Sequence, residues 1–218
     1  MGAKRLSTEI GARARPNRRD TIIDAAEGLF AERGVDAVSV RNIADAAGVK
    51  LSLVTYHFPS KDQLFAEVLV RRSGALTTAR LDRLSARRGA DGFDLTKLID
   101  CFIRPLLEMA LKDDTGWRNY VHLIVQIAQS RKYSKRAAAL YDENSKVFIE
   151  ALLELFPNAS RENAIRAWVY LVSVMLGAFS STGRVETLSN GQLSADPDVA
   201  YESMCKFIVA GMHSLMQE

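Results

Sequence analysis

Cysteine and histidine are scarce in this chain. The two cysteines, Cys101 and Cys205, are too few and too far apart in sequence for a disulfide framework or a zinc-binding pattern. The three histidines have no partner at metal-ligand spacing, and the sequence contains no glycine-rich phosphate-binding loop. We therefore expect no metal and no cofactor and, in the leading interpretation, a protein that is not an enzyme.

Long apolar segments are also missing. The longest nearly apolar run covers residues 167–179 and is interrupted by Ser173. It is shorter than the roughly 18 residues that suggest a membrane span. No apolar stretch follows the basic N-terminus, as one would in a secretory signal. These absences predict a cytoplasmic protein with no membrane partner.

The composition is that of a soluble globular protein with a substantial core. The chain has 218 residues, of which 48% are hydrophobic and 25% charged. Its net charge of +3 is unevenly placed: residues 1–19 carry six basic side chains and one acidic side chain, which leaves 23 basic and 25 acidic residues elsewhere. Residues 1–15 are predicted to form a basic disordered arm, which either contacts a polyanion or is simply a solvated terminus.

Apolar residues recur at helical spacing along the whole chain, and no alternating segment is long enough for a sheet. In the N-terminal part, Asp20 is a candidate cap for a helix that ends near Arg33, and Ser39 precedes a short helix. A second short helix over residues 51–58 ends at a proline, and a further helix begins after Ser60. The predicted fold class is all-α.

The basic, polar stretch of residues 80–92 interrupts this pattern and is predicted to join two parts of the molecule. Beyond it, four or five longer helices are expected, with candidate caps at Asp94, Ser160 and Asp196. Pro105 lies within the first of these helices and predicts a kink or a break.

Residues 39–58 have the layout of a helix-turn-helix. They contain two short helical segments, a turn with a glycine, and small residues where the helices would cross. The second segment exposes hydroxyl, phenol, imidazole and ammonium groups, which suit base edges and phosphates in a major groove. Spacing alone leaves open an ordinary helical hairpin with one polar face.

The motifs in this region are more specific than the spacing. The segments AAEGLFAERG, VRNIADAAGV and YHFPSK occur in that order between residues 25 and 61. Over residues 21–69 the chain closely resembles the N-terminal domain of the TetR family of transcriptional repressors. Thr55 departs from the tyrosine that is commoner at this place in the family.

The resemblance implies an all-helical protein of two domains. Residues 16–76 would be a three-helix DNA-binding domain, and residues 77–218 a larger domain for effector binding and dimerisation. The second helix of the motif would read double-stranded operator DNA. By the same resemblance, Ser39, Tyr56, His57 and Lys61 are expected at phosphates, and Arg41, Lys50, Ser52, Leu53 and Thr55 at bases.

The C-terminal part is weakly similar to members of this family that sense fatty-acid-like ligands. The helix in residues 160–183 is apolar nearly all round and, with residues 196–216, is expected to form a homodimer interface. His122 and Gln126 either fix a polar ligand group or lie on a wet helix face. An acyl or aromatic effector is expected among large side chains that could equally fill a core, namely Phe102, Met109, Trp117, Tyr120, Phe148, Trp168, Met175 and Phe179.

Three functions remain to be distinguished. The leading interpretation is a ligand-responsive, sequence-specific DNA-binding regulator, a repressor that a largely apolar effector releases from its operator. The first alternative is a small helical enzyme that uses Cys101 or a histidine, which turnover of a substrate would reveal. The second is an architectural protein, which would bind unrelated DNA nearly as tightly as its own promoter region.

Overall fold

The structure is a computed structural model and describes residues 17–128, 130–180 and 182–217. Within these ranges the chain forms helices and no strand, which confirms the all-α fold class. The helices are α1 (Arg18–Arg33), α2 (Val40–Ala46), α3 (Leu51–His57), α4 (Lys61–Arg87), α5 (Leu95–Ala110), α6 (Thr115–Ala128), α7 (Ser134–Leu155), α8 (Arg161–Ala178), α9 (Arg184–Leu188) and α10 (Pro197–Met216). The basic arm expected at residues 1–15 lies outside the described residues.

Helices α1 to α3 and the first half of α4 enclose an N-terminal core. Phe30, Ile43, Val54 and Phe65 are fully buried in it, and the rings of Phe30 and Phe65 meet edge to face at 5.7 Å. The core therefore holds the two short helices in place, because a helix of two turns is not stable by itself.

The start of α1 differs from the sequence prediction. Asn17 rather than Asp20 is the cap, and its side chain accepts a hydrogen bond from the main-chain nitrogen of Arg19 at 3.1 Å. Asp20 lies in the first turn instead, where a negative charge still favours the helix N-terminus.

Helix α4 is continuous from Lys61 to Arg87. Residues 80–87 are therefore part of a helix and not of the connecting stretch that the sequence analysis predicted over residues 80–92. Leu76 and Leu84 continue its buried stripe beyond the N-terminal core. The domain division expected at residue 76 falls inside this helix, which thus belongs to both parts of the protein.

Helices α5 to α8 and α10, with the second half of α4, surround a C-terminal core. Asp94 caps α5 by accepting from the main chain of Lys97 at 2.9 Å, and Ser160 caps α8 in the same way. Pro105 lies inside α5, which runs on to Ala110, so the helix does not break there. In the described ranges, no helix is long and apolar enough to cross a membrane.

Candidate DNA-binding surface and ligand-binding core

Helix α3 is anchored by one face and leaves the other to solvent. Val54 and Phe58 are buried in the N-terminal core, and Leu53 is partly buried against it. Ser52, Thr55 and Tyr56 are exposed, with 79% of the Tyr56 side chain accessible. The exposed face of α3 therefore carries the hydroxyl and phenol groups that the sequence analysis assigned to DNA.

A recess of about 550 Å³ opens beside the N-terminal end of α3. Arg18, Gly48, Lys50 and Tyr56 contribute to its wall. Gly48 has φ of +62°, a left-handed conformation that glycine adopts without strain and that makes the turn before α3. The sequence analysis placed Arg18 only among the basic residues near the N-terminus; its closeness to α3 depends on how α1 packs.

Three basic side chains on this surface, Arg18, Arg41 and Lys50, form no ion pair with the described residues. Among residues the structure describes, no carboxylate oxygen lies within 4.0 Å of Arg18, Arg41 or Lys50. Arg41 and Lys50 are exposed, on α2 and at the cap position of α3. These cations are therefore available to an anionic partner.

His57 and Thr55 are more constrained than their neighbours. The His57 ring is partly buried between Tyr56 and Phe58, with ring centres 5.2 and 6.2 Å away. The Thr55 hydroxyl donates to main-chain carbonyls one turn back, at 3.1 Å to Ser52 and 3.4 Å to Leu51. The methyl group of Thr55 remains free for apolar contact with a base.

Ser39 has a structural task in addition to its expected phosphate contact. Its Oγ donates to Oδ1 of Asn42 at 2.6 Å and accepts from the main-chain nitrogen of Asn42 at 3.1 Å. The main-chain nitrogen of Ser39 also donates to the Asn42 side chain, which completes a capping box at the start of α2. A phosphate could receive the Ser39 hydroxyl proton only in exchange for the bond to Asn42.

The ammonium group of Lys61 is bonded within the protein. Its Nζ donates to the main-chain carbonyls of Val35 and Val38 at 2.9 Å each, and lies 3.5 Å from that of Asp36. These three carbonyls use the three N–H bonds of an ammonium group. Lys61 therefore fastens the loop between α1 and α2, and a phosphate could receive one of its N–H bonds only in exchange for a carbonyl.

The eight side chains expected around an effector are all buried in the C-terminal core. Three of them form an aromatic trio, in which the ring of Phe102 lies 4.6 Å from Trp168 and 5.2 Å from Phe148. Trp117 and Tyr120 make a separate edge-to-face pair at 5.7 Å. The structure therefore places all eight side chains in one hydrophobic core.

His122 and Gln126 do not face this core. His122 is exposed, and Nε2 of Gln126 donates to the main-chain carbonyl of Ala31 at 2.9 Å. Gln126 therefore links α6 to α1, and the wet helix face considered for the pair is the arrangement observed.

An ion pair that the sequence analysis missed joins α1, α4 and α6. Arg72 donates to the Glu27 carboxylate from Nε at 2.7 Å and from Nη2 at 3.1 Å, and its guanidinium lies 5.0 Å from the centre of a Trp117 ring. Glu27 is buried. Removal of either charged partner would leave the other unpaired, so the N-terminal and C-terminal helices are firmly connected here.

Helices α8 and α10 pack side by side and expose an apolar surface. Val169 and Tyr170 on α8 are about half exposed, and Phe207 on α10 is 68% exposed. An apolar cleft of about 290 Å³ lies between the two helices. Ile208, the neighbour of Phe207, is only 3% exposed and belongs to the protein's own core.

Known protein families match both parts of the chain. Residues 22–68 match the family described as bacterial regulatory proteins, tetR family, and residues 100–211, just over half of the chain, match the tetracyclin repressor-like C-terminal domain. The chain belongs to the TetR family. The resemblance noted in the N-terminal motifs is thereby confirmed.

Two curated relatives of this chain are HTH-type transcriptional repressors. The repressor KstR2 of Mycolicibacterium smegmatis is 45% identical over 53 residues, which make up 24% of this chain and 26% of that protein. The repressor KstR of Mycobacterium tuberculosis is 36% identical over 115 residues, 52% of this chain and 51% of that protein. The chain therefore spans from a quarter to half of the length of these relatives.

Solved structures of TetR-like regulators share the fold over almost the whole chain. The fatty acid degradation regulator FadR from Bacillus halodurans has a TM-score of 0.66 and 15% identity, covering 91% of this chain and 98% of that one. The multidrug binding protein EbrR complexed with malachite green has a TM-score of 0.61 and 22% identity, covering 92% and 98%. At these identities the likeness concerns the fold alone.

Proposed function

We propose that this protein is a sequence-specific DNA-binding repressor that acts as a dimer and is released from its operator by a small, largely apolar effector. The observation that carries the proposal is the exposed face of α3, held on a buried core and flanked by cations that form no ion pair with the described residues. A surface of this kind suits a major groove, where small polar side chains meet base edges and basic side chains meet phosphates.

Base contacts and phosphate contacts fall to different residues in this proposal. Arg41 reads a guanine, Ser52 and Thr55 meet base edges, and Lys50 and Leu53 lie beside them. Tyr56 and His57 hold phosphates, and Arg18 adds a phosphate contact from the start of α1. Lys61 is left out of the DNA contacts, because its ammonium group is bound to carbonyls.

The surface of α8 and α10 supports dimerisation. The same helices of a second copy would cover its exposed apolar side chains in a four-helix interface. Phe207 is the most exposed of these side chains. A dimer presents two copies of α3, so the operator is expected to contain two related half-sites.

The connection of the two cores supports regulation by a ligand. Helix α4 reaches from Lys61, at the α1–α2 loop, into the C-terminal core, and the Arg72–Glu27 ion pair ties it to α1. A ligand that shifts the second half of α4 would therefore shift the DNA-binding helices as well.

The test begins with selection of binding sites from a pool of random duplex DNA. We expect enrichment of an inverted repeat. Arg41→Ala should weaken binding to that operator by about 1–3 kcal/mol per half-site if the contact to guanine is bidentate, with a much smaller loss on scrambled DNA. Arg118→Ala removes an exposed arginine from α6 and is the matched control. It should bind the operator and the scrambled DNA with the affinities of the parent protein.

Two results would contradict the proposal. If the selection enriches no sequence, the protein is an architectural DNA-binding protein. If Arg41→Ala weakens binding to operator and to scrambled DNA equally, Arg41 holds a phosphate and does not read a base.

A further inference from the structure

Arg80 is a buried cation in the C-terminal core. Its side chain is 3% exposed, and within the described part of the chain no carboxylate oxygen lies within 4.0 Å of it. Nε donates to the main-chain carbonyl of Phe102 at 2.8 Å, and the guanidinium stands 3.7 Å from the centre of the Phe102 ring. Burial lowers the pKa of Arg80 to about 10, which still leaves the group charged at neutral pH.

Two neutral phenols accompany this charge. The hydroxyls of Tyr120 and Tyr141 are hydrogen-bonded to each other near Arg80. Burial raises the pKa of both tyrosines, so neither supplies a negative charge to balance the guanidinium. The positive charge of Arg80 is therefore uncompensated by the residues around it.

Two more polar groups in the same region have no hydrogen-bond partner among the described residues. Asn144 is 4% exposed, and both Nδ2 and Oδ1 are unpaired; Nε1 of the buried Trp168 is unpaired as well. Asn144 follows Tyr141 by three residues and precedes Phe148 by four, so the three lie on one face of α7. Phe148 in turn stacks on Trp168 at 5.4 Å, and Trp168 contacts the Phe102 ring beneath Arg80.

A buried charge without a counter-ion, in the same core as unpaired buried amide and indole groups, is costly to a fold. A ligand that pairs with all of them would offset this cost. The terminal N–H groups of a guanidinium match the two oxygens of a carboxylate. One positive charge balances one carboxylate, whereas a phosphate would bring excess negative charge into an aromatic surrounding.

We propose that the effector is a small molecule with an apolar body and a single carboxylate, and that this carboxylate pairs with Arg80. The amide of Asn144 and the indole nitrogen of Trp168 supply further hydrogen bonds, and the aromatic trio contacts the apolar body. This inference rests on the proposed function. To that function it adds the charge of the effector and the residue that recognises this charge. Because Arg80 lies on α4, the ligand would act directly on the helix shared by both cores.

The experiment uses the full chain free of ligand and follows its tryptophan fluorescence. The probes are straight-chain acids from hexanoate to hexadecanoate and phenyl-substituted acids, each tested beside its primary amide, which has the same body without the charge. We expect at least one acid to bind and its amide to bind about tenfold to a hundredfold more weakly. Arg80→Gln should abolish that difference, whereas Arg83→Gln, one turn along α4 and paired with Glu108 at 3.0 Å, should keep it.

Asn144→Leu provides a second variant should Arg80→Gln fail to fold. It removes an unpaired buried amide, so the ligand-free protein should melt at a higher temperature while acids bind several-fold more weakly. The inference is overturned if no acid binds, if amides bind as well as acids, or if Arg80→Gln or Asn144→Leu leaves acid binding unchanged. Binding to the selected operator is measured in parallel; its failure would overturn the proposed function, whereas equal binding of acids and amides would overturn only the charge of the effector.

Discussion

Lys61 offers the sharpest test of the structure against the sequence, since the two assign it different tasks. The perturbation is Lys61→Met, which keeps an apolar stem and removes the ammonium group. Two hydrogen bonds of 2.9 Å to the carbonyls of Val35 and Val38 would be lost. Hydrogen bonds to a charged group contribute about 1.5–3 kcal/mol each. Lys61 is half-buried and both bonds lie at a part-buried site, so water can replace the ammonium in part, and we expect a loss of about 2 kcal/mol in the free energy of unfolding.

The expected loss is measurable in two ways. It corresponds to a fall of about 4–8 °C in melting temperature for a protein of this size. DNA affinity should fall as well, since the loop that Lys61 fastens leads into the Ser39 cap of α2. That fall should be equal on operator and scrambled DNA, and the dependence of affinity on salt should keep its slope, because no phosphate contact is lost.

Lys50→Met is the matched control, since Lys50 is exposed and makes no capping hydrogen bond through its side chain. Its unfolding free energy should stay within about 0.5 kcal/mol of the parent. If Lys61→Met leaves the melting temperature unchanged and makes the salt slope shallower by about 0.9 per lost contact, Lys61 binds phosphate and the structural assignment is refuted.

Two further predictions concern the dimer and the N-terminal arm. Phe207→Asp should convert the dimer to a monomer in sedimentation experiments and lower operator affinity with it. Leu188→Asp, an equally exposed position on α9, should do neither, and a parent protein that is monomeric at micromolar concentration would remove the basis for the proposed interface. Deletion of residues 1–15 removes Lys4, Arg5, Arg13 and Arg15 and should make the salt slope shallower by up to about 0.9 for each lost phosphate contact; an unchanged slope would mean that the arm is only a solvated terminus.

Some of this molecule could be predicted from local sequence alone. The helices, the caps at Ser39, Ser60, Asp94 and Ser160, and the burial of Val54 follow from residue spacing within one element and from contacts a few residues apart. The motifs of the helix-turn-helix added the family, which the family matches confirm.

Packing between distant elements decides which side chains of a helix are buried and which groups the charged side chains meet. Phe207 and Ile208 are neighbours in sequence, but the packing of α10 on α8 buries one and exposes the other, so only Phe207 tests a dimer. The motif around Lys61 led us to expect a phosphate contact. The motif cannot show that a separate loop brings the carbonyls of residues 35–38 to the Lys61 ammonium group.

Arg80 is the clearest case of this division. In the sequence it is one basic residue in a polar stretch, and such residues are normally exposed. Its burial follows from the continuation of α4 between α5 and α7. Among the described residues, these helices present no carboxylate within 4.0 Å of its guanidinium. The helices and the family could thus be predicted before the fold was known, because both depend on short-range spacing and motif. Which charges are paired, buried or left for a partner depends on contacts between helices far apart in the chain, and these contacts exist only in the folded protein.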